Sequence, residues 1–208
     1  MNFFGHAVVA GWADAQAEHA LGSMLPDFAA MTHVALLEVH DTDIQRGVDL
    51  HHRTDDAFHR TRTFIGWSAN GLDALTRARV RRGPARAVSH IAAEMFLDGW
   101  LAARPALVDG YLAALEVEAN GSLRWEDGGG AYETLHRRLS TWGAPRDYAD
   151  PPFVLQRLCD TLRSRPSLAI APEEVERVAA CLPPLQQRVQ REATELLDEL
   201  RDALGLQD

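Results

Sequence analysis

Histidine and acidic side chains spaced four residues apart are the features of this sequence best suited to chemistry. One pair lies in a predicted helix whose apolar stripe reaches Val48 and is then interrupted by His51 and Asp55. Side chains at positions i and i+4 of a helix point the same way. A buried carboxylate also needs a counter-charge. The pair therefore predicts two ligands of one divalent metal ion.

A second line on the same predicted helix is rotated by one residue and consists of His52, Asp56 and His59. The sequence does not decide which of the two lines faces inward. Pairs at this spacing also occur as surface hydrogen bonds or weak ion pairs, and that alternative stays open.

The predicted helix from Ala85 to Arg104 carries another such pair, His90 and Glu94. Asp98, one turn further on, is interpreted as an exposed carboxylate. Nitrogen and oxygen donors without a thiolate suit manganese, magnesium, iron or zinc. The other histidines without a metal-like placement are expected at the surface or as helix caps, namely His19, His33, His40 and His136.

Apolar residues recur at spacings of three and four, which predicts amphipathic helices and few strands. We expect an all-α protein, with residues 1–208 forming a single-domain helical bundle. The predicted helices are Phe3 to Trp12, Gln16 to Leu25, one started by Pro26, Asp41 to Phe64 with Asp41 or Asp43 as cap, Asn70 to Gly83, Ala85 to Arg104, Ala106 to Glu118, Phe153 to Arg163, one started by Pro172, and a last one from Pro183-Pro184 to Leu204.

The apolar stripe of the last predicted helix can pack on the bundle or on a partner subunit, so a homodimer is one expectation. Gly128 to Gly130 is predicted to be a surface loop without the features of a phosphate-binding loop. The formal net charge of −9 argues against a general nucleic-acid binder. The sequence contains no lysine, so all 21 basic residues are arginines.

The densest basic segment is either a solvated face or a docking patch for an acidic partner or a phosphate. It consists of Arg77, Arg79, Arg81, Arg82 and Arg86.

Two cysteines, Cys159 and Cys181, form neither a disulfide framework nor a close-spaced thiolate metal motif. We expect both to be reduced core residues of a cytoplasmic protein. No leader and no membrane-spanning segment is predicted. The sequence has no glycine-serine-glycine elbow, which argues against a serine nucleophile.

Short segments along the whole chain share a pattern with one bacterial enzyme family. They are Met1 to His6 (MNFFGH), Leu25 to Phe28 (LPDF), Gly47 to Asp55 (GVDLHHRTD), Glu94 to Trp100 (EMFLDGW) and Phe153 to Leu168. The first is similar to the opening Met-Asn-Phe-Leu-Ala-His of the acyl carrier protein phosphodiesterases. The third resembles that family's His-x-His-Arg-Arg-x-Asp stretch, and the residues that coincide are His51, Arg53 and Asp55.

This resemblance implies an all-helical relative of the HD-type metal phosphohydrolases that removes 4'-phosphopantetheine from holo acyl carrier protein. It implies one or two divalent metals, with manganese or magnesium first and iron or zinc as alternatives. The site residues implied as ligands are His6, Asp27, His51, Asp55, His90 and Glu94. Arg53 is expected to contact the phosphate, and Asp27, His51 and Asp55 join it as the catalytic set. The arginine-rich segment is expected to dock the acidic carrier.

The sequence departs from the family pattern at several positions. Aspartates of the family stand where this chain has His90 and Glu94, and a family histidine is Met95 here. The inference of metal-dependent hydrolysis is less affected by these departures than the inference of a carrier-protein substrate. The alternatives are hydrolysis of another phosphoester, such as a nucleotide, and a non-catalytic helical binding protein.

Overall fold

The computed structural model describes residues 1–119 and 121–206, and this part of the chain is predominantly helical, as predicted. Its elements are α1 (Phe3–Ala13), α2 (Ala17–Thr32), β1 (Leu36–Val39), α3 (Thr42–Arg60), α4 (Arg62–Arg77), α5 (Arg82–Ala102), α6 (Pro105–Leu115), β2 (Leu123–Trp125), α7 (Gly130–Trp142), α8 (Pro151–Leu162) and α9 (Val175–Leu204), with 3-10 helices at Arg146–Ala149 and Pro172–Glu174. None of these helices combines the length and the apolarity that crossing a membrane requires.

The chain forms two compact units, each made from separate stretches of sequence. The first contains Met1–Ala57, Leu101–Pro145 and the described residues from 203 onward, and the second contains Phe58–Trp100 and Arg146–Asp202. The expectation of one domain over residues 1–208 stays a prediction.

The core of the first unit is aromatic. Helix α1 packs on α2 and α6, and α2 also contacts α7. The rings of Phe3 and Phe4 lie 6.1 and 4.9 Å from that of Tyr111, and Phe28 lies 6.0 Å from Phe3. All four residues are buried. Burying rings of this size gives α1 and α6 a fixed contact on α2, which carries candidate site residues.

A two-stranded antiparallel sheet also belongs to the first unit and was not predicted. Strand β1 pairs with β2 so that Leu36 faces Trp125 and Val39 faces Leu123. The side chains of Glu38 and Arg124 form an ion pair across the strands. Strands this short carry too few alternating residues for a period of two to be recognised.

The helix predicted to start at Pro26 does not exist as a separate element, and this prediction was wrong. Helix α2 runs through Pro26, so Asp27 lies inside a helix rather than at its start. Proline lacks an N–H and crowds the carbonyl one turn earlier, which here belongs to Gly22. The buried face of α2, which includes Leu21, Leu25 and Phe28, offsets that loss.

The same error recurs in the last helix, because Pro183 and Pro184 lie within α9 rather than at its start. The buried stripe of α9 repeats at spacings of three and four without interruption across the prolines. It consists of Val178, Leu182, Leu185, Val189, Ala193, Leu196 and Leu200. Tertiary burial along 30 residues outweighs the local cost of two prolines.

Helix α9 packs along α4 in the second unit, and its apolar stripe is buried within the chain. Trp67 Nε1 donates to Glu192 at 2.9 Å, and the backbone N–H of Thr63 donates to Glu199 at 3.2 Å. Helix α4 starts after Thr61, whose Oγ1 accepts a hydrogen bond from the N–H of Phe64. This cap ends α3 at Arg60, four residues before the predicted end at Phe64.

A buried carboxylate, Glu174, joins the start of α9 to the start of α5. It accepts hydrogen bonds from the backbone N–H of Arg81 at 2.7 Å, from the Arg81 guanidinium and from the N–H of Ala171 at 3.0 Å. Burial alone would raise the pKa of Glu174, but these bonds outweigh it and lower that pKa to about 2. Arg81 is therefore already engaged within the chain.

Glu174→Ala should lower the free energy of unfolding by about 2–3 kcal/mol at neutral pH, because two backbone N–H groups lose their acceptor. The folded pKa lies below the unfolded value of about 4.3. The stabilisation is therefore fully present above about pH 4.3 and is lost as the pH falls towards about 2. Urea denaturation at about pH 7 and about pH 3 measures this. Glu173→Ala, at an exposed neighbour, is the control. A stability difference that does not shrink in acid would contradict the assignment.

Candidate metal centres

Three candidate ligands come together in the first unit. His6 on α1, Asp27 on α2 and His51 on α3 each offer a ligand atom, and these atoms all lie within 4.8 Å of one another. Both imidazoles are buried, and their rings stack with centroids 3.9 Å apart. Two imidazoles and one carboxylate from three different helices form a donor set suited to a divalent ion. We call these residues the His6 group.

A close crossing of α2 and α3 places His51 in this group. A Cβ on Gly47 would lie 2.1 Å from the carbonyl oxygen of His19, and a Cβ on Gly22 would lie 2.0 Å from that of Ile44. Only glycine lets the two backbones approach this closely. His51 follows Gly47 by one helical turn and therefore projects onto the backbone of α2.

The backbone of α2 also fixes the tautomer of His51. Its Nδ1 donates to the carbonyl oxygen of Ser23 at 2.8 Å. The lone pair is then on Nε2, which is the arrangement that metal-binding histidines commonly use. Burial lowers the pKa of His51 to about 4, although the bond to Ser23 and the charge of Asp55 oppose this. The ring is therefore neutral at physiological pH.

Asp55 lies beside the His6 group but is half-exposed. Its Oδ1 accepts a hydrogen bond from the α-ammonium of Met1 at 2.8 Å and lies 3.8 Å from His6 Nε2. Arg53 is exposed on the same helix. Of the two lines on α3, the one with His51 faces inward, because His52 and Asp56 are exposed.

The second unit contains another group, formed by His59 near the end of α3 with His90 and Glu94 on α5. The two Nε2 atoms lie 3.2 Å apart, and Glu94 Oε1 lies 3.4 Å from that of His59 and 3.2 Å from that of His90. The pKa of Glu94 lies well below its usual range. Burial alone would raise it, and the hydrogen bonds from His59 and His90 contribute to the lowering. We call these residues the His59 group.

The sequence pattern placed His59 on one line with His52 and Asp56. In the structure it lies with His90 and Glu94 instead. It also follows Asp55 by four residues, and this continued spacing was the signal that could have placed it. Ser23 had no such signal, because its contribution is a backbone carbonyl. The six predicted ligands thus divide into His6, Asp27 and His51, with Asp55 beside them, and a separate pair of His90 and Glu94.

Two polar residues expected at the surface are buried, and both predictions were wrong. His19 is 4% exposed because the glycine crossing brings α3 onto its backbone. Asp98 is 0% exposed, on a part of α5 where Leu97 and Leu101 are buried as well. A helix buried on most of its surface has no polar face to which a carboxylate can be assigned.

The arginine-rich segment is exposed but is only partly available for a partner. Arg81 is held by Glu174, and Arg77 forms an ion pair with Asp73 at 2.9 Å. Arg79, Arg82 and Arg86 are exposed. Both cysteines are free thiols at half-buried positions, and burial raises the pKa of each.

Comparisons of the chain with models of protein families, with curated proteins and with solved structures find no match in any of the three.

Proposed function

We propose that this protein is a divalent-metal-dependent phosphodiester hydrolase whose metal is held by the His6 group. The observation that carries the proposal is the convergence of His6, Asp27 and His51, with ligand atoms within 4.8 Å of one another. Convergence of two imidazoles and a carboxylate at a largely buried point has a ready explanation if a cation neutralises the carboxylate there.

The donor set fits such an ion on chemical grounds. His51 presents a neutral ring whose Nδ1 is committed to Ser23, so that Nε2 remains as the coordinating atom. Asp27 supplies the hard oxygen donor that manganese and magnesium prefer, and His6 supplies a second nitrogen. A set of this kind is open to water and substrate, because it does not fill an octahedral coordination sphere from the protein alone.

The roles of the side chains follow from their positions. A divalent ion bound here would acidify a water molecule and offset the charge of the phosphoryl oxygens. His6, Asp27 and His51 would hold that ion in a fixed position. Asp55, half-exposed beside His6, is placed to accept a proton or to position water. For Arg53, exposed on the same helix, the role comes from the resemblance, which implies that its guanidinium pairs with a phosphate.

We propose holo acyl carrier protein as the substrate, with 4'-phosphopantetheine as the released group. In this reaction water adds to phosphorus, and the bond between phosphorus and the carrier's serine oxygen breaks. The serine oxygen takes a proton, so apo carrier is the second product. The resemblance of the segments around His6, Asp27 and His51 to the acyl carrier protein phosphodiesterases supports this choice. Docking of the acidic carrier is assigned to Arg79, Arg82 and Arg86.

Incubating the full chain with holo acyl carrier protein and Mn²⁺ tests the proposal, with the intact mass of the carrier as the readout. We expect conversion of holo to apo carrier, and none with His51→Gln or in excess EDTA. Turnover of a nucleotide or another phosphoester, but not of the carrier, would show that only the substrate is wrong. No turnover of any phosphoester by a folded, Mn²⁺-loaded chain would contradict the enzyme and favour a non-catalytic binding protein.

A further inference from the structure

The His59 group has a shape that ion pairing alone does not explain. Its three atoms, two Nε2 and one Oε1, form a nearly equilateral triangle with sides of 3.2, 3.2 and 3.4 Å. All three atoms can carry lone pairs. An N–H on each imidazole can donate to Glu94 Oε1, which serves two edges of the triangle, but the two donors then face each other across the third edge at 3.2 Å. Protons therefore leave the Nε2–Nε2 edge repulsive.

A divalent ion satisfies all three atoms at once. Nitrogen and oxygen ligands of zinc lie about 2.0–2.2 Å from the metal, and two such ligands in tetrahedral geometry lie about 3.3 Å apart. The observed sides match that separation. His90 and Glu94 are one helical turn apart on α5, and His59 comes from a different helix, so the three ligands occupy one face of an ion.

The group is also accessible and adjoins a cavity. The side chains of His59, His90 and Glu94 are 32%, 42% and 13% exposed, so an ion has a path of entry. His59 and His90 line a pocket of about 290 Å³ in the same unit. Its other walls include the apolar side chains of Phe64, Ile65 and Leu72.

We infer that His59, His90 and Glu94 bind a second divalent metal of the zinc class, with the remaining coordination positions open to this pocket. Two histidines and one glutamate are a known ligand set for zinc sites that keep an open position. Arg86, which also lines the pocket, adds a positive charge beside the apolar side chains of its wall. The site therefore suits a small molecule that pairs an anionic, metal-binding group with an apolar portion. This inference does not depend on the proposed function of the His6 group.

The test is the stoichiometry of metal binding by the full, EDTA-stripped chain, titrated with Zn²⁺ by calorimetry and with Co²⁺ by visible absorption. We expect two equivalents for the wild type and one for Glu94→Gln and for His90→Gln. Loss of a group that hydrogen-bonds to a metal ligand already weakens a metal site by about 10- to 100-fold. Loss of a ligand should therefore weaken this one by at least about 100-fold. His52→Ala, at an exposed histidine of α3, should bind as the wild type does.

The His51→Gln variant separates this inference from the proposed function. If the His59 group binds metal, His51→Gln retains one equivalent that the further change Glu94→Gln removes. Equal stoichiometry and affinity in the wild type, Glu94→Gln and His90→Gln would overturn the inference, whatever the result for His51. Circular dichroism of each variant checks folding, and the exposure of His90 makes His90→Gln the safer of the two substitutions.

Discussion

His51→Gln and Asp27→Asn should each reduce metal-dependent phosphodiester hydrolysis by about 1,000-fold or more, which corresponds to about 4 kcal/mol of lost transition-state stabilisation. The change to glutamine removes the ring nitrogen Nε2 that would coordinate the metal. The change to asparagine removes the negative charge that Asp27 offers to a cation. Neither substitution changes the volume of the side chain greatly, so the fold should persist. The measurement is kcat/KM for bis(4-nitrophenyl) phosphate in Mn²⁺.

The matched control is His52→Ala, which removes the neighbouring histidine from the exposed side of α3. It should change kcat/KM by less than about 2-fold, because His52 is exposed and is not one of the three residues whose ligand atoms converge in the His6 group. If His51→Gln retained activity within about 10-fold of the wild type, the His6 group would not be the catalytic centre. Equal losses for His51→Gln and His52→Ala would point to a general effect on α3.

Gly47→Ala should destabilise the protein by about 3 kcal/mol or more, near the upper end of the range for overpacked sites. The added methyl group would lie 2.1 Å from the carbonyl oxygen of His19 and 2.8 Å from the backbone of Gly22 and Ser23. Because these contacts are with backbone, no side-chain rotation relieves them. The helices must separate, which also moves His51 away from Ser23.

Gly110→Ala is the matched control, since a Cβ at this helical glycine of α6 would meet nothing within 4 Å. It should stabilise the protein by about 0.5–1 kcal/mol, because alanine favours a helix over glycine. Urea denaturation midpoints of the two variants should therefore shift in opposite directions. A Gly47→Ala variant as stable as the wild type would show that α2 and α3 do not cross at this glycine pair.

The helices themselves were largely predictable, because their apolar periodicity is a local property. Helix α1 was predicted to within one residue at its end, and Asp41, one of the two predicted caps of α3, accepts hydrogen bonds from the N–H groups of Asp43 and Ile44. The helix starts predicted at Pro26 and at Pro183-Pro184 were wrong. The helix-breaking cost of a proline is local, whereas the burial that offsets it is tertiary. The break at Thr61 was missed, since one threonine cap has little signal within a polar stretch.

The candidate sites show the same division between local and tertiary information. The four-residue spacing identified His51 and His90 because the spacing is a property of one helix. Which donors from other helices join them depends on how the helices cross. Two glycines and a backbone carbonyl determine that for His51, and neither has a recognisable pattern in the sequence.

A crystal structure of the full chain grown with Mn²⁺, with anomalous diffraction collected near the manganese absorption edge, tests the central claim most directly. We predict an anomalous peak that contacts His51 Nε2, the carboxylate of Asp27 and a ring nitrogen of His6, at about the 2.0–2.3 Å typical of such bonds. Absence of any peak there at saturating Mn²⁺, with the three side chains in place, would contradict the proposal that the His6 group is a metal centre.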